Sequence, residues 1–368
     1  MELTNLILVG GFLGAGKTTL MREVCRKLAE KGKKVGLITN DQATDLVDSQ
    51  ILRGCGYQVK EIAGGCFCCK FGDFAQAADD FLASLNPDFL LAEPVGSCTD
   101  LSATVIQPLK ELRGDKLRVS PFAVLVDPAR LLEALDPSPR RGLHGSARYI
   151  IRKQLEEADL IVLSKSDLLS PNEVSELKKV LAERFPRTPH LLLSSVTGQG
   201  IDELLVELLS PRIGGSRIAE VDYDVYAEGE AILGWLNASV SVGNCDVSTG
   251  KRFLDAFLKR IYAELKTRSR EVAHIKVSLE ISGSRFAGHI TDSRGAPVIR
   301  EIEPGTTPSG EHGMTINARV QASADELREI ILQGLKVAAP EGVDFNVRAL
   351  QVFSPSRPNP THRYKTVF

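Results

Sequence analysis

Neither sign of charge dominates the sequence. Forty-five lysines and arginines stand against forty-seven aspartates and glutamates, a formal net charge of −2, so no long-range field draws the chain to nucleic acid or anionic lipid. Long hydrophobic runs are missing too: none reaches the roughly 20 residues of a membrane-spanning helix. The apolar stretch from Leu6 to Ala15 lacks the basic lead of an export signal and runs straight into Gly16-Lys17-Thr18. Together these absences predict a soluble, cytoplasmic protein with no nucleic-acid or membrane partner. An odd count of seven cysteines, without an export signal, does not read as a disulfide scaffold. There is no histidine-rich tract: His144, His190, His274, His289, His312 and His362 are scattered, and each reads as a structural or solvated side chain.

What is present is the composition of a globular protein, 43% hydrophobic and 25% charged over 368 residues, which is too long for one typical core and predicts two domains. From residue 3 to about 210, short apolar runs alternate with amphipathic stretches. Leu6–Val9, Val35–Thr39, Phe89–Ala92, Phe122–Val126, Leu160–Leu163 and Leu191–Leu193 read as buried parallel strands. Helical patterns lie between them, such as Leu20–Lys31 with Val24, Leu28 and Ala29 on one face. The alternation predicts an α/β, doubly wound parallel sheet over residues 1–212, with its ligand at the carboxyl ends of the strands.

Ser210–Ser216, rich in glycine and proline, reads as a linker. Residues 217–354 then predict a smaller α+β domain, in the order of a ferredoxin-like sandwich. Ile275, Val277, Leu279 and Ile281 alternate with Lys276, Ser278 and Glu280, the pattern of a half-buried strand with a polar outer face. Met314–Val320 and Phe345–Phe353 are further extended segments. Helical faces run through Phe253, Phe257, Ile261 and Leu265, and through Leu327, Ile330, Ile331 and Leu335. Ser323 followed by Glu326 predicts a capping box. Residues 355–368, with three prolines, read as an irregular tail.

Gly11-Phe12-Leu13-Gly14-Ala15-Gly16-Lys17-Thr18 fits the P-loop pattern G-x-x-x-x-G-K-[ST] in full, between the first strand and the first helix. Gly11, Gly14, Ala15, Gly16, Lys17, Thr18 and Thr19 therefore form the candidate phosphate cradle. Backbone N–H groups and the helix N-terminus meet the phosphate oxygens. Lys17 reaches the β- and γ-phosphates and Thr18 ligates Mg²⁺. The base is read by a second motif: Ser164-Lys165-Ser166-Asp167 follows the fifth strand where guanine-binding proteins place N-K-x-D. The Asp167 carboxylate would accept from the guanine N1–H and N2–H₂, and the Lys165 stem would lie along the ring. Ser164 stands in place of the asparagine. Ser195, after the last strand, is the candidate for a further base contact.

Gly64-Gly65-Cys66-Phe67-Cys68-Cys69 places three thiols within four positions. Three thiolates supply a soft-metal site; redox chemistry between neighbouring thiols and simple packing are the other readings. Cys55 and Cys98 are candidates for a fourth ligand or for buried thiols.

GFLGAGKTT over Gly11–Thr19 and GCFCC over Gly65–Cys69 resemble the signature pair of CobW-type P-loop GTPases, relatives of the HypB and UreG nickel chaperones. Glu93-Pro94-Val95-Gly96 matches the family's E-x-x-G, and Gln154 and Ala158-Asp159 match further positions before the guanine motif. The resemblance covers roughly residues 3–210 and implies GTP and GDP as ligands. It implies that Thr18 and Glu93 hold Mg²⁺, Glu93 through water or by positioning the attacking water. It assigns a transition metal to Cys66, Cys68 and Cys69, zinc foremost, with cobalt or nickel as alternatives. Asn40-Asp41 and Asp48 fall in the first switch segment, so Lys17, Asp41, Asp48 and Glu93 form the implied catalytic set. In such a switch the γ-phosphate holds a loop that hydrolysis releases.

The implied function is a GTPase that couples nucleotide state to delivery of a transition metal to a client, with slow turnover in the client's absence. An alternative is a GTP-driven activator of a cofactor-dependent enzyme, for example one handling a corrinoid, in which the cysteines are structural or redox elements. A small-molecule kinase or ATPase is opposed by the guanine motif. The client, a metalloenzyme or another cofactor-dependent enzyme, would dock on the C-terminal domain, and dimerisation across the nucleotide face is a further expectation from the resemblance.

Overall fold

In a computed structural model of the chain, the residues described are 3–40, 52, 57–136, 142–292, 295–302 and 312–368. Strand β1 (Thr4–Gly11) explains how the first half is built. Leu6 and Leu8 pack into one hydrophobic cluster and Ile7 and Val9 into another, all at most 1% exposed. A strand buried on both faces needs apolar residues at consecutive positions, hence an unbroken run rather than an alternation. Helix α1 (Lys17–Glu30) covers one face with Leu20, Met21, Val24, Cys25 and Leu28.

The chain continues through β2 (Val35–Asn40), β3 (Gln58–Ile62), α2 (Phe71–Ser84) and β4 (Phe89–Glu93). A π-helical turn, Ser102–Ile106, leads into α3 (Gln107–Arg113), β5 (Leu117–Val119), β6 (Ala123–Val126) and α4 (Pro128–Leu135). Then come α5 (Gly145–Glu156), β7 (Leu160–Leu163), α6 (Pro171–Arg184), β8 (His190–Leu192) and α7 (Ile201–Leu208). Among the described residues these strands form one sheet in the order β3-β2-β4-β1-β6-β7-β8, with β5 beside β1. Every pairing is parallel. The predicted doubly wound sheet is present, and the carboxyl ends of β1, β2, β4 and β7 all lie at one edge. β3 and β5 carry no apolar run. β3 reads Gln-Val-Lys-Glu-Ile at the sheet's edge, where one side needs no hydrophobic cover.

The Ser210–Ser216 segment docks against the sheet rather than swinging free. Asp159 accepts hydrogen bonds from Phe122 N, Gly215 N and Ser216 N at 2.6–2.8 Å. Beyond it, α8 (Tyr223–Ala231) lies so close to α5 that a Cβ on Gly229 would stand 2.6 Å from the Ser146 carbonyl. Tyr226, Leu233 and Trp235 join the core of the parallel-sheet half.

The second sheet is antiparallel. Its elements are β9 (Gly234–Gly243), α9 (Val247–Thr267), β10 (Val272–Ile281), β11 (Ser284–Ile290), β12 (Val298–Ile302), β13 (Gly313–Val320), α10 (Ala324–Ala338) and β14 (Asp344–Phe353). Among the described residues the order is β12-β11-β10-β13-β9-β14. Without the β11–β12 hairpin this is the βαββαβ arrangement of a ferredoxin-like fold. Alternate residues of β10, Ile275, Val277, Leu279 and Ile281, meet Phe253, Phe257, Ile330 and Ile331 of the two helices. At α10 only half of the predicted capping box forms. Ser323 Oγ accepts from Glu326 N at 3.2 Å, but the Glu326 carboxylate pairs with Arg270 and Arg268 instead. A full capping box does form at Ser170 and Glu173 of α6.

The two halves meet through a buried cation. Arg130 of α4 donates to Glu133 Oε2 at 2.7 Å and to the Val272 carbonyl of β10 at 2.6 Å, with the two side chains 4% and 5% exposed. Removing one member of a buried pair uncovers the desolvated charge of the other, so Arg130→Ala is expected to cost about 3–5 kcal/mol. The sequence's single tryptophan, Trp235, is fully buried in the strand that starts the second sheet. Urea unfolding followed by its fluorescence is the measurement, and a loss below about 1 kcal/mol, the range of a surface pair, contradicts the expectation.

Candidate functional site

The loop after β1 closes on itself through Lys17. Its ammonium donates to the Gly11 carbonyl at 2.8 Å, which folds the stem beneath the loop. Thr18 Oγ1 donates to Glu93 Oε1 at 3.0 Å, joining the start of α1 to the end of β4. Gly96 completes the contact: a Cβ there would stand 3.0 Å from Lys17 Nζ and 2.8 Å from Leu13. The last position of E-x-x-G therefore suits glycine because the Leu13 backbone and the Lys17 ammonium both lie close against it. Gln154 Nε2 pins the same turn by donating to the Gly96 and Cys98 carbonyls at 2.9 and 2.7 Å.

A cavity of about 270 Å³ opens above this loop. Gly14, Ala15, Gly16, Lys17, Thr18, Thr19, Glu93, Ser164, Lys165, Asp167 and Ser195 all line it. Gly11 is not part of the lining; it ends β1 and accepts from Lys17. Asp41 and Asp48 lie outside the described residues, as does Cys55. In the guanine-type segment Lys165 takes a left-handed conformation (φ 55°) and its Nζ stands 2.7 Å from Asp127 Oδ2. Burial raises the pKa of Asp127, but the Lys165 charge outweighs it and holds the carboxyl below its ordinary value. Ser164 Oγ donates to the Val126 carbonyl at 3.2 Å.

The far wall of the cavity comes from the second sheet, which sequence reasoning missed. His274 and Lys276 alternate with the core residues of β10 and so point to the opposite face. The residues opposite Lys276 are His289 on β11 and Asn317 on β13; Arg319 is opposite His274. That face is turned to the P-loop rather than to water: Lys276 Nζ donates to Thr18 Oγ1 at 3.2 Å. Arg319 stacks over Trp235, its guanidinium 4.0 Å from the ring centre. Burial pushes the His274 imidazole well below its ordinary pKa, and Lys276, His289, Lys17 and Arg319 push it further. The alternation was visible in the sequence, but nothing local says whether a strand's polar face meets water or another domain.

The cysteine loop hangs from the end of β2. Asn40, 7% exposed, donates from Nδ2 to the carbonyls of Ile62 and Gly65 at 2.9 and 2.7 Å and accepts from Phe67 N at 2.8 Å. The Asn40 residue also lines the cavity. Cys66 Sγ stands 2.9 Å from Cys68 Sγ and 3.3 Å from Cys69 Sγ, with 3.9 Å between the latter two. Around a tetrahedral ion with bonds of about 2.3 Å, sulfurs sit about 3.8 Å apart, so only modest spreading separates this cluster from a ligand set. Hydrogen bonds from Cys68, then Cys69 and Cys98, pull the Cys66 thiol well below its ordinary pKa despite burial. Neighbouring donors that favour the thiolate form suit a soft-metal ligand. Cys98, fully buried, reaches this cluster, and burial pushes its thiol up. The tail closes over the loop: Asn359 N donates to Cys69 Sγ at 3.3 Å and Thr361 N to the Cys68 carbonyl at 2.9 Å. The sequence carried no signal for that contact.

A family model described as CobW/HypB/UreG, nucleotide-binding domain, matches residues 5–191. The zinc chaperone CobW of Sinorhizobium sp is 28% identical over 210 residues, covering 50% of this chain and 57% of that protein. The zinc chaperone YeiR of Escherichia coli (strain K12) is 34% identical over 188 residues, 49% of this chain and 51% of that protein. The chain thus spans about half the length of the curated relatives it matches. Among solved structures, the Zn(II)-bound YjiA GTPase from E. coli is similar at 17% identity and a TM-score of 0.36, covering 93% of this chain and 100% of that chain. HypB from Helicobacter pylori in complex with nickel is similar at 20% identity and a TM-score of 0.38, covering 57% and 91%. No helix among the described residues is long and apolar enough to cross a membrane.

Behind the Gly96–Asp100 turn, Glu157 is fully buried and accepts from Ser102 N at 2.8 Å and Thr99 Oγ1 at 3.2 Å. Burial raises its pKa to about 8, against the hydrogen bond from Ser102. The folded chain therefore keeps a proton that the unfolded chain loses near pH 4.5. Its contribution is fully present below that pH and is lost, on the order of 1 kcal/mol per unit, as pH rises toward 8. Denaturation between pH 5 and 8 should show this fall in the wild type and a flatter profile in Glu157→Gln. Parallel profiles count against a protonated Glu157.

Proposed function

This chain belongs to the CobW/HypB/UreG family, and we propose that it binds and hydrolyses GTP and uses the nucleotide state to bind a transition metal and hand it to a client protein. The observation that carries the proposal is Asn40, which lines the nucleotide cavity and at the same time holds the cysteine loop through Ile62, Gly65 and Phe67. A shift of this amide with nucleotide state would carry with it the loop that bears Cys66, Cys68 and Cys69. Coupling between the two sites requires that this element have a second position, which the nucleotide and the metal would bias.

In this reading the P-loop backbone and Lys17 hold the phosphates, while Ser164, Lys165, Asp167 and Ser195 face the base. Thr18 and Glu93, already hydrogen-bonded at 3.0 Å, are the residues that would hold magnesium, which neutralises phosphate charge when bound. Glu93, buried at 7% exposure, orients the attacking water; Asp41 and Asp48 complete the switch. The metal is cargo, and its ligands are the three clustered thiols, with zinc favoured over cobalt and nickel by relatives whose names call them zinc chaperones. The client would dock on the C-terminal domain, whose polar sheet face meets the P-loop.

Anaerobic competition titrations with Zn²⁺, Co²⁺ and Ni²⁺, run with GDP and with a slowly hydrolysed GTP analogue, test the proposal. Zinc affinity is expected to differ between the two nucleotides by about fivefold or more. Cys66→Ala should abolish tight binding, and Asn40→Ala should keep zinc binding while removing its dependence on nucleotide. Zinc affinity indifferent to both nucleotide and Cys66 would sink the chaperone reading and leave the cysteines a structural or redox role in an enzyme activator.

A further inference from the structure

The cavity has two walls of opposite origin, and the upper one is built like an anion site. Among the described residues, the second sheet and its loops contribute His274, Lys276, His289, Arg300 and Arg319 to the lining, and no acidic side chain. The acids of the lining, Glu93 and Asp167, come from the parallel-sheet half. Lys276 reaches the P-loop. Cross-strand partners on both sides, His289 and Asn317, fix its backbone, so only its flexible stem can move. Its ammonium sits 3.2 Å from Thr18 Oγ1, the oxygen that ligates the divalent cation in P-loop proteins. The Thr18 proton goes to Glu93, leaving its lone pairs for one cation or another. The depressed His274 imidazole, pushed down by Lys276, His289, Lys17 and Arg319 after burial, reports the same positive field.

We propose that the C-terminal sheet is the second wall of the nucleotide site, and that Lys276 reads the third phosphate. Without nucleotide it holds Thr18; with a triphosphate it swings from Thr18 to the terminal phosphate, so that GTP, unlike GDP, binds both domains. This rests on the GTP reading above. Lys17 grips the polyphosphate from below and Lys276 from above. Because Lys276 comes from another domain, the third phosphate draws the two sheets together.

The test is calorimetric titration of the full chain with Mg²⁺ and either a slowly hydrolysed GTP analogue or GDP, in wild type, Lys276→Gln, Lys276→Met and Lys276→Arg. A hydrogen bond from a charged donor is worth about ten- to a hundredfold in affinity. Lys276→Gln and Lys276→Met should lose that factor for the GTP analogue and less than about threefold for GDP, while Lys276→Arg keeps most of the discrimination. The methionine keeps the apolar stem, which guards against misfolding of the glutamine variant. Equal losses for the two nucleotides, or no loss for either, overturn the proposal while leaving the GTP reading intact. A wild type that binds neither nucleotide overturns both.

Discussion

Asn40 ends β2 with its carboxamide turned inward, and its donors and acceptor are all engaged by the segment from Ile62 to Phe67. A buried amide with both donors and its acceptor oxygen engaged is costly to displace, because each orphaned group carries its own desolvation penalty of about 1–3 kcal/mol. The cysteine loop therefore has one stable position relative to the nucleotide cavity for as long as the end of β2 stays put. Asparagine suits the task. It offers two donors and an acceptor in one plane, whereas aspartate would lack the donors and add a charge needing compensation.

The thiols gain their character from the same confinement. Burial alone would raise all of them and keep them as inert S–H groups. Packing Cys66 within hydrogen-bond reach of its neighbours reverses that for one member, whose thiolate their S–H groups stabilise. The cost falls on Cys68 and Cys69, whose thiols the bond to Cys66 pushes up. A cation placed among them would relieve both tendencies at once. The tail adds a lid whose hydrogen bonds go to Cys68 and Cys69, and its Arg363 anchors on the buried Asp100 at 2.6 Å. The surroundings of the cysteine cluster are thus set partly by residues almost 300 positions away in sequence.

Much of the parallel sheet was legible because its strands are buried on both faces, which forces runs such as Leu160–Leu163 that no solvated segment would carry. β3 was not legible, since an edge strand can be Gln-Val-Lys-Glu-Ile and still pair. The phosphate loop and the guanine-type segment were legible as patterns, and the structure brings their residues to one cavity. The role of Asn40 in holding the cysteine loop was not, because it depends on the loop's return path. The ferredoxin-like half was readable from periodicity, but periodicity reports only that one face is apolar. It could not say that Lys276 faces Thr18 instead of water. Similarly, Ser323 and Glu326 had the spacing of a capping box, and the nearby Arg268 and Arg270 drew the glutamate away.

Gly14 shows how closely the two halves are fitted. The P-loop pattern leaves this position free, since only Gly11, Gly16, Lys17 and Thr18 are prescribed. In this chain Gly14 has φ 79°, and a Cβ there would stand 3.3 Å from two carbonyl oxygens, those of Ala273 and Thr291, on and beside the second sheet. Alanine at this position would carry both the strain of a left-handed backbone and a close approach to the other domain. Glycine is thus favoured by the turn and by the wall above it. The phosphate loop and the C-terminal sheet are packed directly against each other, through Gly14 and through Lys276 on Thr18.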